Sequence, residues 1–198
     1  MKKVVHFVLI VVIVVLAVLL VKSIQKPIKF NKEKEFRKEL SVQKLKDIRA
    51  AQIAFRSVNK RYTGSFDTLV DFIEHGQLAI VKMIPDPTDT TFTRSILDTI
   101  GYTLVKDTLF ADRPDFDASK LSIIPNSGGE KYKLEAGTIE KSKIQIPVFR
   151  AEALWTQILK GMDEQSIIND NAKLEVNGLF PGLYVGSMEE SSTDGNWE

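Results

Sequence analysis

Residues 4–21 form an unbroken run of 18 residues in which only His6 is polar. At about 1.5 Å per residue, a helix of that length reaches ~27 Å, close to the ~30 Å hydrocarbon core of a bilayer. Eleven of the 18 are Val or Ile, residues that favour strands in water. In lipid the backbone must satisfy its own hydrogen bonds, so a lone segment there is a helix. A soluble core helix has no need of apolar side chains around its whole circumference. The run is read as a membrane span, residues 4–25, behind a basic tail of residues 1–3.

A basic start followed by an apolar stretch is also the shape of a secretory signal. This run is longer than the usual apolar region, and Ala17-Val18-Leu19-Leu20-Val21-Lys22 offers no small-x-small cleavage site, so a retained anchor is expected. Orientation draws two ways. Lys22, Lys26, Lys29, Lys32, Lys34, Arg37 and Lys38 outnumber Lys2 and Lys3, which taken literally puts the large part in the cytoplasm. Long domains translocate largely regardless of charge, and the signal-like start favours an extracytoplasmic head. The latter is the expectation: a single-pass protein of the bacterial inner membrane with its head in the periplasm.

Charge divides the chain as hydropathy does. The whole carries +1, but residues 1–60 hold 14 Lys/Arg against 4 Asp/Glu, leaving 13 against 22 for residues 61–198. A basic front and an acidic back suit different surroundings. With no cysteine there is no disulfide, thiol nucleophile or Cys-ligated metal.

Pro27 is expected to end or kink the membrane helix, and Asn31 to cap a second, stalk helix within residues 26–62. Ile48, Ala51, Phe55, Val58 and Tyr62 step by three and four, one face of a helix, and Leu40 and Phe36 extend it backwards. The C-terminal half of this stripe is assigned to packing against the head. Phe36, Leu40 and Leu45, so near the membrane, are assigned to contacts with neighbouring subunits. The basic flank suits lipid headgroups, and nothing in it reads a nucleic-acid groove.

Residues 63–188 are expected to form an α+β head with a mainly antiparallel sheet. Ser65 or Asp67 caps a short helix ending near His75-Gly76. Residues 78–84 and 102–110 read as strands, as do residues 121–124 and 132–134, with turns at Pro85-Asp86-Pro87-Thr88-Asp89 and Asn126-Ser127-Gly128-Gly129. Pro147 makes residues 144–149 an edge strand. Residues 151–159 read as a helix or a strand turning into one, Asp163 opens another helix, and residues 179–185 close the fold. Residues 189–198 form an acidic, mobile tail, in which Trp197 docks on the head or on a partner, or is simply exposed.

The search for chemistry yields little. His6 is either a functional polar group in the span or a side chain reaching the interface. His75 suits a helix C-terminus. No G-x-S-x-G, P-loop, G-x-G-x-x-G or H-E-x-x-H occurs. Asp112-x-x-Asp115-x-Asp117 and Asp86/Asp89 are the densest carboxylate clusters, but neither has EF-hand spacing, and turn and cap roles account for them. No catalytic residue, cofactor or metal ligand is assigned.

Two resemblances follow. Ile48-Arg49-Ala50-Ala51-Gln52-Ile53-Ala54-Phe55-Arg56 and Asn59-Lys60-Arg61-Tyr62-Thr63 resemble the helix end and N-G-R-Y-P-T turn of type II secretion pseudopilins, with Lys60 in the place of their glycine and Thr63 in that of their proline. The likeness to those proteins and to type IV pilins covers about residues 4–70. It implies an anchor helix, an amphipathic continuation and a small antiparallel head. The leader glycine and the early membrane-helix glutamate of that group are absent here. Nearly the whole chain, through Pro27-Ile28-Lys29-Phe30, Leu45-Lys46-Asp47-Ile48-Arg49, Tyr62-Thr63-Gly64-Ser65-Phe66, Pro181-Gly182-Leu183-Tyr184 and Gly195-Asn196-Trp197-Glu198, resembles an uncharacterised family of single-pass, membrane-anchored bacterial envelope proteins. Together they imply a non-enzymatic structural or assembly subunit, in a homo- or hetero-oligomer of a pilus-like or secretion apparatus. A monomeric tethered module recognising a peptide, glycan or ion is the alternative.

Overall fold

The structure, a computed structural model, describes residues 2–85 and 95–198. A single helix, α1 (Lys2–Asn59), runs 58 residues, about 87 Å, through both the apolar run and the amphipathic segment. Pro27 neither ends nor caps it, and Asn31 lies in mid-helix. Pro27 takes the donor from the Ser23 carbonyl, but Ser23 and its neighbours are exposed, so water can serve the freed oxygen. Lys- and Glu-rich turns then carry the helix on without another breaker.

The apolar window of α1 is unburied. The half beyond Phe30 is the spine of the head. Phe30, Leu45, Ile48, Ala51 and Phe55 are buried, and Ser41, Asp47 and Gln52 are buried beside them. Against this face pack α2 (Phe66–His75), through Leu69 and Ile73, and a three-stranded antiparallel sheet of β3 (Lys133–Lys141), β4 (Ile144–Leu154) and β5 (Gly182–Ser187) in the order β3-β4-β5. Phe149, Ala151 and Ala153 of β4 and Leu183 and Val185 of β5 complete the core. The head is thus α+β, with a second, two-stranded antiparallel sheet formed by β1 (Gln77–Pro85) and β2 (Ser95–Leu104).

Several local expectations hold and several shift. Ser65 caps α2, accepting from the Thr68 amide, and His75 ends it beside Asp71. The strand expected over residues 102–110 stops at Leu104. Val105 turns inward, donates its amide to the Gly76 carbonyl and opens α3 (Val105–Leu109) with its side chain fully buried. Residues 121–124 follow a 3-10 turn and make only the bridge Ile123 to Lys131, not a strand. β4 is the central strand rather than an edge. Pro147 is tolerated because it lies beyond the last β5 partner, Ser187 opposite Phe149, where only Thr138 of β3 stands beside it. β4 runs directly into α4 (Trp155–Ile158), and Asp163 caps α5 (Glu164–Val176), accepting from the Ser166 amide.

The acidic C-terminal segment is held, not loose. Gly195 bridges to Val185, and the Asn196 carboxamide accepts from the Tyr184 amide and donates to the Gly182 carbonyl. Glu198 pairs with Arg49 at 2.7 Å. Trp197, half-buried, packs against the core cluster.

The close of α1 carries the sharpest backbone constraint. Lys60 adopts φ 59°, the left-handed conformation that glycine favours at a helix end, and donates its amide to the Arg56 carbonyl. The next residues are fixed by Gln52, fully buried, whose carboxamide donates to the Thr63 carbonyl at 2.6 Å and accepts from the Thr63 amide at 3.1 Å. Because the cap geometry is imposed, Lys60→Gly removes strain without removing a core contact. It is expected to raise stability by ~0.5–1 kcal/mol in chemical denaturation.

Candidate interaction surfaces

The four residues expected to make contacts lie in four different settings. Phe36 is 52% exposed on the flank of α1. Leu40 is half-buried and lines a groove. Leu45 is fully buried in the head's core and is not an outer contact. Trp197 borders a recess on the head. The cause is the true register of the buried face. On the lower half of the packed segment it steps through residues 30, 34, 37, 41 and 45, with Leu40 about 100° and Phe36 about 140° from its centre. Val58, expected within the stripe, is 47% exposed because the chain reverses beyond it.

The head also reaches further down α1 than expected. Lys26 pairs with Asp163 and Lys34 with Asp170, each at 2.7 Å. Hydrogen bonds from Lys26 and from Ser166 hold the Asp163 carboxyl at about 2. Arg37 donates to the carbonyls of Lys160 at 2.9 Å and of Ile158 and Asn126 at 3.4 Å. Lys34 also lies over the Trp155 ring, 5.0 Å from its centroid. These are polar heads on aliphatic stems, so hydropathy alone did not mark them as interface residues.

The groove beside Leu40, about 550 Å³, is walled by Gln43, Lys44, Arg113, Phe116 and Lys120 and holds the aspartates singled out in the sequence. Arg113 is its keystone. It grips the buried Asp47 carboxylate at both nitrogens, 2.6 and 3.0 Å, and lies over the stacked rings of Phe110 and Phe116. Burial pushes the Lys44 ammonium down, with Arg113 and Lys120 adding to the effect against the pull of Asp47 and Asp117. Asp117 caps the 3-10 turn; Ser119 and Lys120 hold its carboxyl at about 2. Among the described residues, no three His, Asp or Glu side chains gather as metal ligands would. Asp86 and Asp89 lie outside the described residues.

A large exposed apolar surface outside the N-terminal apolar run was not marked in the sequence. β1 and β2 pair only with each other, from Gln77 opposite Leu104 to Pro85 opposite Ser95, with a bulge between Ile80 and Val81. Met83 and Tyr102 are 69% and 68% exposed, Ile100 62% and Val81 52%. Each strand was legible in part, but their pairing spans a connection that no local signal encodes. A two-stranded ribbon alone is marginally stable in water, and among the described residues neither outer edge pairs with another strand.

A smaller recess of about 260 Å³ gathers both tryptophans of the chain, Trp155 and Trp197, with Phe180, Tyr184 and Lys38. Arg150 stacks on Tyr184 and Phe180 at 4.3 and 5.0 Å, which fixes two of its walls.

One helix is long and apolar enough to cross a membrane, and its apolar window is wholly unburied. No family model, curated protein or solved structure is significantly similar to this chain.

The register of α1 separates two substitutions that hydropathy treats alike. Leu45→Ala is expected to cost ~2–5 kcal/mol of unfolding free energy as a core truncation. Phe36→Ser should change it by less than about 0.5 kcal/mol, the ordinary range for a surface site. Parallel denaturant titrations of the two variants in detergent check the assignment.

Proposed function

We propose that this protein is a non-enzymatic, single-pass, membrane-anchored structural or assembly subunit of the bacterial cell envelope. Its head stands in the periplasm on a rigid extension of its own anchor helix. The observation that carries this reading is the β1–β2 arm: a ribbon with Val81, Met83, Ile100 and Tyr102 in solvent is built to be covered by another protein. The resemblance to pseudopilins and to membrane-anchored envelope proteins supports the same architecture and favours partners in a pilus-like or secretion apparatus. Of the carboxylates singled out in the sequence, Asp117 caps the 3-10 turn and pairs with Lys120.

A second reading, a tethered module that binds a peptide or glycan as a monomer, is favoured by the aromatic recess of Trp155, Phe180, Tyr184 and Trp197. Such rings offer flat apolar faces of the kind that ligand pockets use. The arm decides between the two.

Replacing Val81, Met83 and Tyr102 together by Ser should leave the melting temperature nearly unchanged, because none of the three is buried. It should also abolish crosslinked or copurifying complexes from native membranes. Retention of the same complexes by the triple variant would remove the basis of the assembly reading. Protease added to spheroplasts is expected to digest the head while the membrane stays sealed. Protection until lysis would place the head in the cytoplasm, as the lysine count alone suggests.

A further inference from the structure

We propose that the head does not stand clear of the bilayer but is seated on it. The seat is the edge formed by residues 161–165 and Ile168, resting on anionic headgroups and flanked by Lys22, Lys29 and Lys32. This rests on the anchor reading of α1 and adds a second, peripheral membrane contact to it.

Two ion pairs set the geometry. Lys26 binds Asp163 and Lys34 binds Asp170, both at 2.7 Å. Eight residues on α1 advance about 12 Å and seven on α5 about 10.5 Å, so the two helices climb side by side in the same direction. The start of α5 is therefore the end nearest the membrane. Its height follows from the anchor. The apolar run ends at Val21, and Lys26 is five residues on, about 7.5 Å along the axis. A headgroup layer is roughly 5–7 Å thick on each side of the hydrocarbon. The Asp163 carboxylate, bound to Lys26, thus lies at the outer face of the headgroups. There is no linker to lift it away, since α1 is helical throughout and Phe30 is already buried.

The chemistry of the edge suits that position. Gly161, Glu164, Gln165 and Ile168 are exposed, and Ile168 leaves 58% of its surface in solvent. Ile24 and Ile28 of α1 are exposed beside the same level, at 55% and 61%. Lys160 is already paired with Glu130, and Lys26 with Asp163. Among the described residues no carboxylate pairs with Lys22, Lys29 or Lys32. On α1, Lys22 and Lys29 lie within about 20° of one another, with Lys32 some 60° further round. Three unpaired ammonium groups against the one unpaired carboxylate of Glu164 leave a cationic margin, and each lysine near an anionic surface adds to attraction.

The chain contains no cysteine, so single labels can be placed without background. The full-length protein carrying Gln165→Cys, Ile168→Cys or, as a distant control, Val81→Cys is labelled with an environment-sensitive fluorophore. It is then reconstituted into vesicles of phosphatidylcholine alone or with phosphatidylglycerol, each doped with headgroup spin-labelled lipid. Cofloatation with the vesicles tests the anchor separately. The expected result is several-fold stronger quenching at 165 and 168 than at 81. Quenching should be greater in the anionic vesicles and should fall when Lys22, Lys29 and Lys32 are changed to Gln. Cofloatation with quenching no greater at 165 and 168 than at 81 would overturn the seat while leaving the anchor intact. Equal quenching in both vesicle types would overturn the role of anionic lipid, and failure to cofloat would overturn the anchor reading and the seat with it.

Discussion

The head has no complete core without α1. Leu45, Ile48, Ala51 and Phe55 supply one wall of the cluster that Leu69, Ile73, Phe149, Ala151 and Val185 close from the other side. Phe55 and Phe72 meet edge to face at 5.1 Å, and Tyr62 lies 4.7 Å from Phe149. Folding of the head is thereby coupled to a helix whose other half is apolar on every side. One segment changes from all-round apolar to one-faced within a few residues of Pro27, and the start of packing coincides with that change. A soluble fragment would have to keep α1 from about Lys26 onward, because the ion pairs and Phe30 belong to the fold.

What the sequence revealed follows from how each feature is encoded. The long apolar helix, the Ile48-Ala51-Phe55 face, the Ser65 and Asp163 caps and the general α+β character are written in contiguous periodicity and side-chain chemistry. The lower half of the buried face is not. Its positions are held by Phe30, Lys34, Arg37 and Ser41, of which only Phe30 scores as apolar, so the eye follows Phe36 and Leu40 instead. Leu45 sits in the seam by packing, although the charged Lys44 is its neighbour. Pro27 does not end the helix, and the carbonyl it leaves without a donor, that of Ser23, is exposed. The pairing of β1 with β2 and the central place of β4 are long-range facts, set by which strands find each other.

Buried polar groups give the junctions their definition. Gln52 satisfies both the amide and the carbonyl of Thr63, so the chain leaves α1 at one angle. The buried Asp47 carboxylate is met by two hydrogen bonds from Arg113 and one from Gln43, and removing Arg113 would leave it poorly satisfied. In this way the loop after α3 is fixed to α1, and with it the base of the arm, since Val105 binds Gly76 across the root of β1 and β2. The arm's bulge at Ile80/Val81 and the Lys82–Asp98 cross-strand pair interrupt its edges, the kind of feature that limits indiscriminate pairing of open ribbons.

Rigidity between anchor and arm bears on what partners the proposed subunit would engage. α1 runs as one helix through Pro27 and packs into the head from Phe30 to Phe55, and on the anchor reading this limits the freedom of the arm above the bilayer. Phe72, at the foot of the arm, is level with Phe55, roughly 45 Å along α1 from the end of the span. A partner that shares the membrane meets this surface at a fixed height and in two dimensions, so its effective concentration is high and a modest apolar contact is enough to hold it. A freely diffusing partner gains no such advantage and would need a larger or better-packed interface than a two-stranded ribbon provides. The same geometry explains why an exposed apolar ribbon is tolerable: most encounters from solution are weak, and those within the membrane plane are reinforced by the anchor.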